Sequence, residues 1–316
     1  MVDASSNRQK PTWLLSPGES VTGISFYQQW FAEAWKTSGG QVIECTSKLP
    51  HLVNVACGRL WPGFSFSRKR RLIVLSSGRI ESVAWPWLLT HEIVPMLWDV
   101  WPQNVKPLVC FARRNRVKII FCTSSQTVVR LREMLPGVKV EWVPEGIKID
   151  AYPCGDLLST RRVDILSYGR QMESTMGQLR SFASETNLNV LFRKGREHLF
   201  SNFEGLKEGL RSSKISICYP QSQSHPMRAR GLETLTQRYW ESMLSGTLIA
   251  GHAPKELVDV CGYNPVIELG ERPSEVIGEV LLNINKYQEL ADRNRKCAEQ
   301  IAGWDKRMPR IWEVLG

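Results

Sequence analysis

The sequence contains no long apolar run. None of its hydrophobic stretches approaches the roughly 18–20 residues of a membrane-spanning helix, so an integral membrane protein is not expected. The N-terminal "MVDASSNRQK" is polar and lacks the apolar core of a secretory signal. Eight cysteines stand at 45, 57, 110, 122, 154, 218, 261 and 297, with no C-x-x-C pair among them. Cys110, Cys122 and Cys218 lie in apolar, strand-like runs, which predicts reduced, buried thiols in a reducing compartment. A cytoplasmic protein is expected, with peripheral attachment at the inner membrane surface as an extension. There is no D-x-D and no His/Cys cluster of metal-ligand spacing, so no metal site is predicted. Zinc-finger, helix-turn-helix and aromatic-rich single-strand motifs are missing too, which argues against nucleic acid as a partner. No 20–50-residue repeat and no low-complexity segment occurs.

What is present suits a globular chain of 316 residues, 42% hydrophobic, with room for two cores. Net charge is +10. Part of the excess is clustered in "SRKRR" (67–71) and "ARRNRVK" (112–118). Each cluster reads either as a solvated basic face or as a surface for phosphates or anionic lipid headgroups.

Short apolar runs alternate with helical patterns. "TWLL" (12–15), "QVIEC" (41–45), "RLIVLSS" (71–77), "EIVPMLWD" (92–99), "VKIIFCTS" (117–124) and "VKVEWVP" (138–144) read as strands. Helical patterns fall at 24–40 and 126–135. The turn-rich stretch 145–163 reads as a linker. Alternation then resumes, with strands at 163–169, 189–193, 214–220, 246–251 and 265–269. Helices are predicted at 176–186, 203–213, 235–245, 273–283 and 285–302. Such alternation predicts two successive Rossmann-like α/β halves with parallel sheets. The expected domains are 1–155 and 156–302, with 303–316 as a tail packing back on the first.

One stretch concentrates the chemistry: "GLETLTQRYWESMLSGTLIAG" (231–251). Thr234 with Gln237 fits a capping box, and Gly246 fits a helix end. Leu235, Tyr239, Trp240, Met243 and Leu244 form one apolar side. Thr234, Gln237, Arg238, Glu241 and Ser245 form a polar stripe, with Glu233 just before the helix. The stripe either faces water or faces a ligand. A helix between two parallel strands opens its N-terminus at their carboxyl ends, where free N–H groups favour phosphate. A carboxylate on the same stripe matches a vicinal diol, two acceptors for two donors.

At these residues the sequence resembles the retaining, family-4-like group of GT-B glycosyltransferases. Glu233 and Glu241 match that group's E-x7-E motif, and Met243 and Gly246 also agree with it. The group's small residues after the first glutamate are replaced by Thr234, Leu235 and Thr236. "VDILSYGRQ" (163–171) resembles the first strand of the group's C-terminal domain, ending in Gly-Arg. "VEWVPEGIKIDAYP" (140–153) resembles its crossing between domains. The likeness spans 117–270, about half the chain.

The resemblance implies a GT-B fold, with two Rossmann-like domains facing across a cleft. It also implies sugar transfer from a nucleotide-diphosphate donor to a hydroxyl acceptor, with retention and without metal or cofactor. The acceptor would be a glycan, a lipid-linked compound or a small molecule. Glu241 would bind the donor ribose and Glu233 the transferred sugar. The group's usual diphosphate lysine is missing after Gly-Arg, leaving Arg170, Arg193, Lys194 and Arg238 as candidate cations. The acceptor would bind the N-terminal half, where Gly18 lies in a glycine-containing loop after the first strand. His91 or Asp99 would act there on an acceptor hydroxyl, and Trp98 and Trp101 would either stack on sugar or fill the core. Two other readings stay open: a nucleotide-sugar epimerase of the same fold, and a non-catalytic GT-B-like binding protein.

Overall fold

The computed structural model describes residues 10–17, 23–44, 51–63, 70–77, 80–193, 195 and 197–316. Two units form. Unit 1 takes Met1–Gly18, Ala32–Val143 and Arg307–Gly316; unit 2 takes Glu19–Phe31 and Pro144–Lys306.

Unit 1 is built on six parallel strands: β1 (Thr12–Leu15), β2 (Gln41–Ile43), β3 (Arg70–Ser77), β4 (His91–Trp98), β5 (Ile119–Cys122) and β6 (Lys139–Trp142). Their order is β2-β1-β3-β4-β5-β6, with the chain reversing its direction of growth at β1 and β3. Every residue of β4 is buried, as expected of a strand covered on both faces. The helices are α1 (Tyr27–Thr37), whose start belongs to unit 2, α2 (His51–Leu60), α3 (Pro102–Arg114) and α4 (Ser125–Met134). Ser124 caps α4, accepting from the Thr127 amide at 3.3 Å. The sequence reading missed α3, whose interior Pro107 and terminal arginines blur the pattern. Its buried Val105, Leu108, Val109, Phe111 and Ala112 still repeat at three and four.

This helix corrects one expectation. Cys110 is exposed on α3, not buried in a strand, whereas Cys122 and Cys218 are buried in strands. It also accounts for part of the basic cluster. Arg113 donates to the Met134 carbonyl at 2.8 Å, and Arg114 donates to the carbonyls of Gly58 and Arg59.

The C-terminal helix Met308–Leu315 belongs to unit 1. Trp312 stacks on Trp35 at 4.2 Å, and Arg310 pairs with Glu141 at 2.7 Å. Among the described residues, no helix is long and apolar enough to cross a membrane.

Unit 2 has five parallel strands: β7 (Val163–Ser167), β8 (Val190–Phe192), β9 (Ser213–Cys218), β10 (Leu248–Gly251) and β11 (Val266–Glu268). They run in the order β11-β10-β9-β7-β8. Its helices are α5 (Glu173–Glu185), α6 (Phe203–Arg211), α7 (Gln237–Leu244), α8 (Lys255–Cys261), α9 (Pro273–Leu282) and α10 (Gln288–Ile301). Ile165, Ile215, Ile217 and Leu248 pack with Met176, Leu179 and Ile277 to form the core. The turn-rich stretch 145–163 packs into this unit instead of hanging as a linker. Ile147 pairs with Gly303, and Tyr152 and Leu158 are buried. The longer of the two stretches of this unit starts at Pro144.

Strand order matters for the site. In unit 2 the chain passes from β7 to β8 on one side, then returns to β9 on the other. The crevice at the carboxyl ends of β7 and β9 is the switch point, the usual ligand position in such sheets.

Candidate active site

Strand β7 ends at Ser167 and is followed by Tyr168, Gly169 and Arg170. Helix α7 starts opposite them. Its first residue is Gln237 and its N-cap is Thr236, which makes no side-chain capping bond. The expected capping box at Thr234 is therefore absent. Instead, Glu256 of α8 accepts from the Leu235 amide at 2.8 Å, and the helix starts two residues later than expected. Thr234 and Leu235 are buried, and Thr236 keeps its hydroxyl buried without a hydrogen-bond partner.

The polar stripe of α7 does not face water. Glu241 is 5% exposed and Ser245 1%. Both carboxylate oxygens of Glu241 accept from phenols: Tyr152 to Oε1 at 2.9 Å and Tyr168 to Oε2 at 2.6 Å. Burial raises the Glu241 pKa above the usual carboxylate value; the two phenols and the Arg238 charge oppose that rise without cancelling it. Burial and then the Glu241 charge push both tyrosines well above their ordinary range, so they remain donors. The Tyr152 ring meets Trp30 at 6.0 Å and Phe203 at 5.5 Å, both edge-on.

Arg238 lies on the same side of α7. Its guanidinium occupies the space over Gly169 that a Cβ there would fill, so a glycine at the end of β7 makes room for a cation. Its charge acts on Glu241, Tyr168, Cys218 and Tyr239 together. Of the four expected cations, Arg238 sits at the switch point. Arg170 follows Gly169 and is partly buried. Arg193 follows β8 and is tied to the end of β7 by its backbone, its amide donating to the Ser167 carbonyl at 2.8 Å. With Gln171, Arg180, Ser224 and His225, it lines a cavity of about 580 Å³. Lys194 and Gly18 lie outside the described residues.

Glu233 has different company. It accepts from the Ser222 hydroxyl at 3.2 Å and the Lys255 amide at 3.0 Å, and His252 Nε2 lies 3.1 Å from its Oε1. The other ring nitrogen of His252 lies 3.0 Å from Glu268 Oε2. A neutral imidazole can donate to one carboxylate, and a doubly protonated ring to both. Gly251, at φ +139°, sets this geometry: any Cβ there would strike the Cys218 carbonyl, and the turn aims His252 at Glu233. Sequence reading missed His252, Glu268, Tyr152 and Tyr168. The available signal was positional, because His252 follows directly on the strand predicted at 246–251 and Tyr168 lies near the end of the one predicted at 163–169.

In unit 1 His91 opens β4 and Asp99 follows its end, about 26 Å away at the rise of an extended chain. His91 is buried at the amino end beside Trp13 and Trp87, with Nδ1 2.8 Å from the Thr90 hydroxyl. Burial and then the Arg70 charge lower its pKa. Asp99 is exposed just past the carboxyl end, at φ 49°. Trp98 and Trp101 are 3% and 2% exposed, so they fill the core.

Comparisons with protein-family profiles and with curated proteins yield no match. Solved structures do share the architecture. TarM aligns with a TM-score of 0.54 at 9% identity, over 79% of this chain and 55% of TarM, so the chain spans about half of that relative. Anabaena HepE, solved in complex with UDP, aligns at 0.56 and 10% identity over 96% of this chain and 98% of its own. A putative UDP-N-acetylglucosamine 2-epimerase from Listeria monocytogenes aligns at 0.51 and 12% over 97% and 96%. The chain thus has the GT-B fold expected from its sequence, two parallel-sheet α/β units.

Proposed function

We propose that this chain is a glycosyltransferase that moves a sugar from a nucleotide-diphosphate donor to a hydroxyl acceptor, with retention and without metal. The observation that carries the reading is the pair Glu233 and Glu241 set on either side of the unit 2 switch point, with Arg238 over Gly169 beside them. Arg238 and the amides opening α7 would stabilise the charge that builds on the departing diphosphate. Arg193 is a second cation for an anionic donor. Glu233, held by three donors, would keep one geometry against the hydroxyls of the transferred sugar. Glu241 would accept from the ribose on the lone pairs that its two tyrosines leave, since a carboxylate offers about four acceptor directions. Unit 1 would bind the acceptor, and Asp99, at the carboxyl end of β4, is its candidate base. HepE was solved with UDP, which supports a nucleotide at such a fold.

The test is a panel of nucleotide sugars with release of nucleoside diphosphate as readout. Release that depends on Glu233 and on an added acceptor supports transfer. Conversion of the donor sugar without an acceptor would support the epimerase reading, which the Listeria neighbour favours. Donor binding without turnover would leave a binding protein.

Contact with an anionic membrane is a further part of the proposal. It rests on the exposed Arg70, Arg116 and Lys118, because Arg71, Arg113 and Arg114 bond within the fold; residues 67–69 of the first basic run lie outside the described residues. Equal sedimentation with neutral and anionic vesicles would remove it.

A further inference from the structure

A second carboxylate meets the histidine that holds Glu233. Glu268 is the last residue of β11, in register with Gly251 at the end of β10. This register brings its side chain to residues 252 and 253. Its Oε1 accepts from the Ala253 amide at 2.9 Å and from the Asn264 side-chain amide at 3.4 Å. Asn264 is fixed in turn, its Oδ1 accepting from the Val266 amide at 2.9 Å. The other oxygen of Glu268, Oε2, lies 3.0 Å from His252 Nδ1. Side-chain exposure falls along the row, from 44% at Glu268 to 33% at His252 and 18% at Glu233, so Glu268 stands at its outer end. Its bonds reach 252, 253 and 264, and its effect on Glu233 passes through the imidazole.

His252 has little freedom apart from its ring. Its amide donates to the Cys218 carbonyl at 3.1 Å, and its carbonyl accepts from the Tyr239 hydroxyl at 2.7 Å. The ring is settled by its two nitrogens, which lie on separate edges. Nδ1 meets Glu268, and Nε2 lies 3.1 Å from Glu233 Oε1. Without the acceptor at Nδ1, the ring can turn and carry Nε2 off Glu233. With a proton on each nitrogen, the ring donates to both carboxylates at once, and bonds to ionised acceptors are the strong ones.

We propose that Glu268 is a positioning residue for Glu233 and acts through His252. With Nδ1–H held by Glu268, the ring stays where Nε2–H meets Glu233 Oε1. Glu233 then keeps one orientation toward the hydroxyls of the transferred sugar, and no part of that orientation has to be found during turnover. Glu268 itself touches no substrate. This role rests on the transferase reading; the hydrogen-bonded row Glu268–His252–Glu233 does not.

The first arm of the experiment measures turnover of the nucleotide-sugar panel by the full chain. Glu268→Ala should lower kcat about fivefold at unchanged donor KM, a smaller loss than for His252→Asn. Glu268→Gln keeps an acceptor oxygen for Nδ1 and should recover most of that loss. In the His252→Asn background, Glu268→Ala should cost nothing more, because the ring that links it to Glu233 is gone. Losses that multiply overturn the proposal. So does a raised donor KM at normal kcat, which would put Glu268 on the substrate. The second arm needs no turnover and uses histidine labelled with 15N. The wild type, at the pH of the assay, should show two ring N–H signals that vanish in His252→Asn. In Glu268→Ala the Nδ1–H signal should be lost and the Nε2–H signal broadened. A wild type without these two signals overturns the proposal, whatever becomes of the variants. Two signals with no turnover of any donor would instead sink the transferase reading, and the role in turnover with it.

Discussion

Glu233 and Glu241 stand eight residues apart in one motif, yet the fold gives them opposite surroundings. Glu241 is buried on a helix and satisfied by two phenols. Glu233 is less buried, in a loop, gripped by a serine, an amide and a histidine that is itself backed by Glu268. One carboxylate therefore ties together three segments of unit 2, those bearing Tyr152, Tyr168 and α7. The other is held by a hydroxyl, a backbone amide and a histidine, and is only partly buried. Their shared spacing does not imply a shared role: burial makes Glu241 an anchor of the fold as well as the proposed ribose acceptor, and leaves Glu233 the more exposed group.

Four experiments bear on that division. The largest effect on the fold is expected from Glu241→Ala. It leaves two tyrosine hydroxyls without their acceptor and opens a cavity, costing about 2–4 kcal/mol. A thermal melt unchanged from wild type would end the anchor role. Glu233→Gln keeps the shape, so the melt should stay close to wild type. Turnover in the donor panel should fall roughly 100-fold with nucleotide affinity retained. A lost nucleotide affinity would instead make Glu233 part of nucleotide binding.

His252→Asn removes one of three groups on Glu233. A fall in turnover of about tenfold is expected, smaller than for Glu233→Gln, with little change in donor KM. Equal losses in both variants would mean that the histidine itself touches the reacting sugar.

The smallest effect is a pH dependence. The folded pKa of Glu241 lies above its ordinary 4.5, so the folded state holds this proton more tightly than the unfolded chain. Its contribution to stability is full below about 4.5 and is lost as pH rises from there through the folded pKa. Wild type minus Glu241→Gln, measured as Tm between pH 4 and pH 7, should therefore decline with rising pH. A flat difference would show that the phenols and Arg238 fully offset the burial.

Much of the architecture was legible because its signals are local. Strands such as "RLIVLSS" and "KISICYP" are apolar along their length, as strands covered on both faces must be. Alternation with helices then limits the sheet to parallel pairing. Helix α3 was not legible, since Pro107 and the arginines at its end disguise a regular buried face. At the site, the E-x7-E spacing and the apolar side of α7 could be read directly: Leu235, Tyr239, Trp240, Met243 and Leu244 are all buried. The capping box at Thr234 is absent because the helix starts at Gln237, and the Leu235 amide ahead of it donates to a distant carboxylate, Glu256.

The sequence by itself determined the parallel α/β class, the position of the paired glutamates and the apolar faces that bury them. These depend on periodicity and on neighbours within a few residues. Only the tertiary structure decided which glutamate is buried, that Tyr152 and Tyr168 meet Glu241, and that His252 bridges Glu233 and Glu268. Each of those contacts joins residues 16 to 89 positions apart in the sequence. Strand order brings them together, and no local pattern encodes which side chains then share one low-dielectric pocket.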